Sequence, residues 1–467
     1  MWIPSDESQL NFVTAYLAVN RKYQAGTLTE AERATWRETQ FRKVLDKTRQ
    51  SPFYRDHVDH DAIGSLADLD RIPFTTKDHL RSRMTDMLSG PLRDALFYYE
   101  TTGTTGPATP CPRDYREVIA SNCQITENWR AVFASVFGEG YRPIVGLMGP
   151  TEVHSFGDTL GTVCQNLNLC NFKIWPYSPV IGFPKALQLL RDHGIEVIVC
   201  TPGVAMNLIK AAAHYGFDME RDFAVKAVFL TGEMSTPGLM QNIGSIWGAQ
   251  VFNCLYGSQE AFIMASVRPD GQMYIADPNY ITEVIDPATD ESLGETGTGE
   301  LCVTMLMDGI KPLLRYRTGD MVTVRATGRP GPERLQVDVI GRTRDRITLN
   351  DRLFSAYEIE SAILEPVTHC IAYQIIIDHA GGADHLEIPV EFSKAARDVP
   401  ALCRAIEQSC AKVLGCKARV IVVSEIDQVV TTAAFVSWKA ARIIDRRQAE
   451  PDAESLVSHR MAKRRGY

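Results

Sequence analysis

No Cys-x-x-Cys pair occurs in this chain, although it has eleven cysteines, at 111, 123, 164, 170, 200, 254, 302, 370, 403, 410 and 416. An odd number scattered without a spacing rule argues against a disulfide framework and against a structural zinc site. It fits reduced, mostly buried thiols in a cytoplasmic protein. No run of about 20 apolar residues is present, so no membrane-spanning helix is expected. The opening residues, MWIPSDESQLNF, lack a basic segment followed by an apolar one, so a secretory signal is not expected either. Positive charge is in deficit: 49 Lys and Arg against 57 Asp and Glu leave a net charge of −8. A general nucleic-acid or acidic-membrane surface does not follow from that balance. The basic stretch HRMAKRRGY reads as a solvated tail. Internal repeats and low-complexity segments are also missing.

What is there is ordinary for a globular protein: 467 residues, 45% hydrophobic and 23% charged. The length suits two or more domains, the larger with a substantial core. Residues 8–50 read as helical, with Thr29 as a cap, and Thr75 or Thr76 caps the next helix in IPFTTKDHLRSRM. From residue 143, PIVGLMG, VIVCTPG, AVFLTGE and QVFNCLYGSQE read as strands. The patterns FPKALQLLRDHG and GVAMNLIKAAAHYG between them are helical. That alternation predicts a parallel sheet with crossover helices, with ligands at the carboxyl ends of its strands. After about residue 280, ITEVIDPATDESLGETGTGELCVT reads as a hairpin, followed by the strands MVTVRA, RLQVDVIG and RITLN. Beyond GRTRDR, the patterns AYEIESAILE, YQIIIDH, HLEIPVEF, VPALCRAIEQSCAKVLG and ARVIVVSEID predict a small α+β domain.

The stretch TTGTTG, residues 101–106, carries the first chemical signal. Gly103 and Gly106 free the backbone for a close turn, and successive N–H groups in such a turn form an anion-binding nest. The hydroxyls of Thr101, Thr102, Thr104 and Thr105 add donors, which suits a phosphate. It is not the common GxxxxGK[ST] loop, because Pro107 follows Gly106. Read alone, it is equally a Thr/Gly-rich surface loop.

In order along the chain, SPFYRDH, IPFTTKDHLR, TTGTTGPATP, FLTGE, LYGSQE, RYRTGD, GRTRDR and WKAARIIDRR together resemble the adenylate-forming superfamily, in its phenylacetate–CoA ligase branch. The resemblance spans nearly the whole chain. It implies an α/β fold: a large N-terminal region of mixed and parallel sheets with crossover helices (1–342), a small mobile α+β lid (343–447) and a polar tail (448–467). It also implies ATP-dependent adenylation of a carboxylic acid with release of pyrophosphate, then acyl transfer to a thiol such as coenzyme A.

Site residues follow from the resemblance. Thr101–Gly106 would wrap the ATP phosphates. Gly232 and Glu233 would lie against adenine, and Tyr256, with Gly257, would pack on it. Gln259 would contact phosphate, and Glu260 would hold Mg²⁺. Asp320 would take the ribose hydroxyls, Arg342 would lie near ribose and phosphate, and Lys439 would bridge the carboxylate and the α-phosphate. His154, Phe156, Gly257 and Ser258 are candidates for an acid pocket suited to an aryl or cyclic acid, although a single His is more often structural. A homodimer is a family habit that no feature of this sequence shows.

Four departures stand out. No Lys follows the Thr/Gly loop, so charge neutralisation must come from Mg²⁺ or another residue. Gln259 stands where the pattern has Thr or Ser. Asp351 occupies the place of a glycine that would let a pantetheine arm approach, and Arg344 the usual hinge place. Acyl transfer to an amine, or a nucleotide-binding relative without ligase activity, therefore stay open beside the thiol.

Overall fold

Helix Glu30–Thr48 begins at Thr29, whose hydroxyl accepts from Glu32 N (3.2 Å) while the Glu32 carboxylate accepts from Thr29 N (3.0 Å). This capping box satisfies two donors that the first turn leaves without partners. Thr76, not Thr75, caps helix Lys77–Arg83; Thr75 is buried and pairs with the Tyr54 hydroxyl at 3.1 Å. The computed structural model describes residues 6–101, 108–424, 426 and 442–447. They fall into two units. One is drawn from Met1–Arg142, Thr151–Leu169 and Cys254–Thr343, the other from Pro143–Pro150, Cys170–Asn253 and Arg344–Tyr467.

The first unit is built on a seven-stranded sheet. Its order is Tyr280–Ile285, Gly297–Met305, Tyr316–Ala326, Leu335–Arg342, Met273–Ile275, Phe262–Val267 and Leu255–Ser258. Every pairing is antiparallel. The expected hairpin forms between Tyr280–Ile285 and Gly297–Met305. Helix Tyr115–Phe137 packs on strand Phe262–Val267 and on helices Glu7–Gln24 and Ser155–Asn166. Tyr16, Phe41, Tyr54, Met264, Val303 and Leu314 belong to the core.

The second unit holds the parallel sheet, in the order Asn171–Lys173, Val145–Leu147, Val197–Cys200, Ala227–Leu230 and Gln250–Asn253. VIVC and AVFL are buried at every position, the pattern of strands covered on both faces by crossover helices. A second sheet pairs Cys370–Tyr373, Ala383–Phe392, Ile375–Ala380 and Ile443–Asp445, with Lys417–Val422 beside Ala383–Phe392. One apolar cluster includes Ile198, Leu230 and Ile243 together with Ile359, Ile377 and Ile388. Buried Asn242 joins the two sheets' layers: its Oδ1 accepts from Cys370 N at 2.9 Å and its Nδ2 donates to Cys370 O.

The stretch QVFNCLYGSQE, expected as one strand, is two. Gln250–Asn253 pairs in the parallel sheet and Leu255–Ser258 in the antiparallel one, with buried Cys254 between them. The two halves find hydrogen-bonding partners in different sheets, which a hydrophobic run cannot reveal. No helix among the described residues is long and apolar enough to cross a membrane.

Candidate active site

Three of the expected residues meet in the first unit. Strand Leu255–Ser258 carries Tyr256; Asp320 and Arg342 face each other as register partners on Tyr316–Ala326 and Leu335–Arg342. The Tyr256 hydroxyl donates to Asp320 Oδ2 at 2.9 Å, and Arg342 Nε lies 3.5 Å from Oδ1. Gly319 (φ +77°) turns the strand immediately before Asp320, whose N–H donates to Thr318 Oγ1 at 3.1 Å. Burial raises the Asp320 carboxyl above its ordinary range, against the pull of Arg342 and of Tyr256. Burial and the neighbouring Asp320 push the Tyr256 phenol well up, so its proton stays in place as a donor. The Tyr256 ring is only 8% exposed and belongs to the core, with its hydroxyl serving Asp320.

Glu260 follows that strand and is 2% exposed. Its Oε1 lies 2.8 Å from Lys77 Nζ, and its carbonyl accepts from Lys311 Nζ at 2.6 Å. Burial works to raise its carboxyl, but Lys77, with Lys311 behind it, prevails and holds it below the ordinary range. Lys77 lies in IPFTTKDHLR and takes its place because Thr76 caps the helix that starts there. The motif was legible, but nothing in the sequence showed that its lysine reaches Glu260. Gly257 has no room for a side chain, since a Cβ would run into the Phe262 carbonyl. Ser258 Oγ accepts from Ala261 N at 3.0 Å, which makes it a turn residue. The Gln259 carbonyl accepts from Arg113 Nη2.

Thr101 closes the neck of the Thr/Gly loop. Its Oγ1 accepts from Thr109 N at 2.9 Å, and its N–H donates to Thr109 O at 3.1 Å. Thr102, Gly103, Thr104, Thr105 and Gly106 lie outside the described residues, as does Lys439. His154 caps helix Ser155–Asn166, its Nδ1 accepting from Phe156 N at 3.1 Å, and Phe156 is 6% exposed. The structure thus uses His154 and Phe156 for helix start and core packing.

Gly232 (φ +81°) and Glu233 lie in the second unit, past strand Ala227–Leu230. The Glu233 carboxylate meets Arg442 Nη2 at 3.1 Å, and Arg442 Nη1 meets Glu360 at 3.1 Å. In the same unit, Asn350 (φ +46°) and Asp351 (φ +63°) form the two-residue turn between Arg346–Leu349 and Arg352–Ser355. Both angles are left-handed, where glycine is at ease and aspartate is tolerated.

The donor set bears on magnesium. Among the described residues no group of three or more His, Cys, Asp or Glu side chains is placed to hold a metal. A lone carboxylate such as Glu260 still fits magnesium, an ion that takes one or two carboxylates and completes its shell with phosphate oxygens and water.

With this geometry in view, the likeness to known proteins has a structural basis. Residues 356–447 match the C-terminal domain of AMP-binding enzymes. Over 390 residues the chain is 27% identical to the phenylacetate-coenzyme A ligase of Thermus thermophilus, covering 78% of this chain and 82% of that one. Its fold is shared with 2-hydroxyisobutyryl-CoA ligase in the postadenylation state, at a TM-score of 0.66 and 19% identity, over 99% of this chain and 93% of that one. An acyl acid amido synthetase in complex with 2,4-DB also has a TM-score of 0.66, at 12% identity, over 98% and 97% of the two chains. The chain thus shares its fold with acid ligases of the adenylate-forming superfamily, and its sequence is similar to those of phenylacetate–coenzyme A ligases.

Proposed function

We propose that this protein is a cytoplasmic AMP-forming ligase that adenylates an aryl or cyclic carboxylic acid and passes the acyl group to a thiol, coenzyme A or a carrier-protein arm. The observation that carries this reading is the convergence of Tyr256, Asp320 and Arg342 in the unit that also pairs Lys77 with Glu260. Asp320 accepts from the ribose hydroxyls, exchanging its present partners for them. Arg342, always charged, faces the ribose and α-phosphate. Thr101–Gly106 enclose the β- and γ-phosphates. Lys77 supplies the cation that the Thr/Gly loop lacks, and Glu260 is the residue that would hold magnesium. Bound there, magnesium would spread the phosphate charge over its oxygen ligands.

In the first step a carboxylate oxygen attacks the α-phosphorus, the bond to the β-phosphate breaks, and pyrophosphate leaves. Lys439, on the lid, lies between the two anions and lowers their repulsion as they meet. In the second step the thiol sulfur attacks the acyl carbon, the bond to AMP breaks, and the thiol proton passes to solvent. The lid is residues 343–447, turning about Arg344 between steps. An amine acceptor is the second reading. It is favoured by Asp351, which puts a carboxylate on the turn where a bare backbone would suit a pantetheine arm.

Acid-dependent ATP–pyrophosphate exchange over a panel of aryl and alicyclic acids tests the reading. Exchange with one acid and no acceptor supports adenylation, and adding thiols and amines then identifies the second step. ATP binding without exchange for any acid overturns it.

A further inference from the structure

The segment Gln259–Phe262 is gripped from the protein interior by two cations. Arg113 and Lys311 are each 1% exposed, among the most deeply buried charged side chains in the molecule. They hold consecutive carbonyls: Arg113 Nη2 donates to Gln259 O, and Lys311 Nζ donates to Glu260 O at 2.6 Å. The Arg113 guanidinium also lies over the Phe262 ring, 3.8 Å from its centre, and Phe262 has the left-handed backbone (φ +65°) that bends the segment. Glu117, buried on helix Tyr115–Phe137, lies 3.5 Å from Arg113 Nη1 and accepts from Asp114 N at 2.9 Å. Gly309 leaves the space that the Glu117 carboxyl fills.

A buried ammonium bonded to a carbonyl is a costly way to fill a core, since lysine is almost never fully buried without a carboxylate partner. An apolar side chain of similar length would pack there more cheaply. What the charge adds is direction. Two fixed donors on successive carbonyls set the rotation of both peptide planes, and with them the directions in which the Gln259 and Glu260 side chains leave the backbone. We propose that Lys311 and Arg113 are positioning residues that aim the Gln259 amide and the Glu260 carboxylate at the phosphates and magnesium of bound ATP. This rests on the reading that Gln259 and Glu260 face the nucleotide. Neither cation touches substrate. Each acts through a peptide carbonyl.

The test is pyrophosphate exchange on the full chain with its best acid, titrating magnesium and ATP in turn. Lys311→Met keeps the length and removes the charge. The expected result is a rise of roughly tenfold in half-saturating magnesium and in the ATP KM, about the value of one charge-assisted bond. The acid KM should stay within about twofold. A Lys311→Met protein with a lower unfolding midpoint and wild-type magnesium and ATP dependence overturns the proposal, because a merely structural lysine changes only the fraction of folded enzyme. If that variant does not fold, Arg113→Lys is the deciding one: it keeps the charge and loses the two-pronged hold on Gln259 and Glu117. A several-fold rise in half-saturating magnesium supports the proposal, and an unchanged value overturns it. Glu260→Gln separates the two levels of inference. If it leaves magnesium and ATP dependence untouched, the reading of the site fails first, and the positioning role with it.

Discussion

In the parallel sheet, Val197–Cys200 and Ala227–Leu230 are buried at every position, and polar groups appear only past the strand ends. In the antiparallel sheet, charge stands in or beside the strands themselves. Arg315 pairs with Glu283 at 2.9 Å, Arg317 with Glu300, and Arg342 lies 3.5 Å from Asp320. The two regions also use their buried charges differently. Around Arg442, in the second unit, Glu233 and Glu360 are matched to the same guanidinium at 3.1 Å each, as a joint that binds structure to structure. Around Glu260, in the first unit, Arg113 and Lys311 hold backbone carbonyls, while Lys77 meets the Glu260 carboxylate at 2.8 Å. Buried charges that satisfy one another fix the fold.

That contrast breaks most readily at Arg442. Arg442→Met leaves two buried carboxylates facing each other and should cost about 3–5 kcal/mol in urea unfolding. A loss under about 1 kcal/mol would mean that the joint is slack. The opposite behaviour is expected of Asp320→Asn. It should raise the ATP KM about ten- to a hundredfold, the range for hydrogen bonds to a charged group, with unfolding shifted by less than about 1 kcal/mol. A large stability loss with unchanged KM would put Asp320 in the same class as Arg442.

A smaller effect sharpens the comparison through pH. Burial works against the Glu295 carboxylate, but Arg37 (2.6 Å) and Arg334 (3.1 Å) hold its pKa down at about 2. Its folded value lies below the ordinary one, so its contribution to stability is full above the ordinary carboxylate range and is lost as pH falls toward about 2. Glu295→Gln should therefore be less stable than wild type by about 1–2 kcal/mol at neutral pH, allowing for its partial exposure. The difference should shrink steadily on acidification. A difference independent of pH would trace the loss to packing instead. The smallest change is expected at Thr29→Ala, about 1 kcal/mol for the lost cap, with no effect on exchange kinetics in either unit.

Much of this was written in local pattern. The capped helices, the hairpin Tyr280–Met305 and the buried parallel strands each follow from short-range periodicity or turn chemistry. The ordered motifs were enough to carry the resemblance to adenylate-forming enzymes. Less legible were contacts across long separations. Lys77 was visible inside a quoted motif, but its pairing with Glu260 spans 183 positions of chain. Lys311 had no motif at all: DGIKPLL reads as an unremarkable loop, and only its burial beside Glu260 gives it meaning. Glu233 was legible as a strand-end turn but not as a partner of Arg442.

The sequence by itself determined the elements and the chemistry they carry, because helix caps, strand burial and glycine turns depend on neighbours a few residues away. Tertiary structure alone decided which charges meet. It split QVFNCLYGSQE between two sheets, set Asp320 between Tyr256 and Arg342, committed Glu233 to Arg442, and buried two cations against the carbonyls of Gln259 and Glu260. The physical reason is that the energy of a charge depends on its burial and on partners brought close by folding, and neither quantity is encoded in the spacing of residues along the chain.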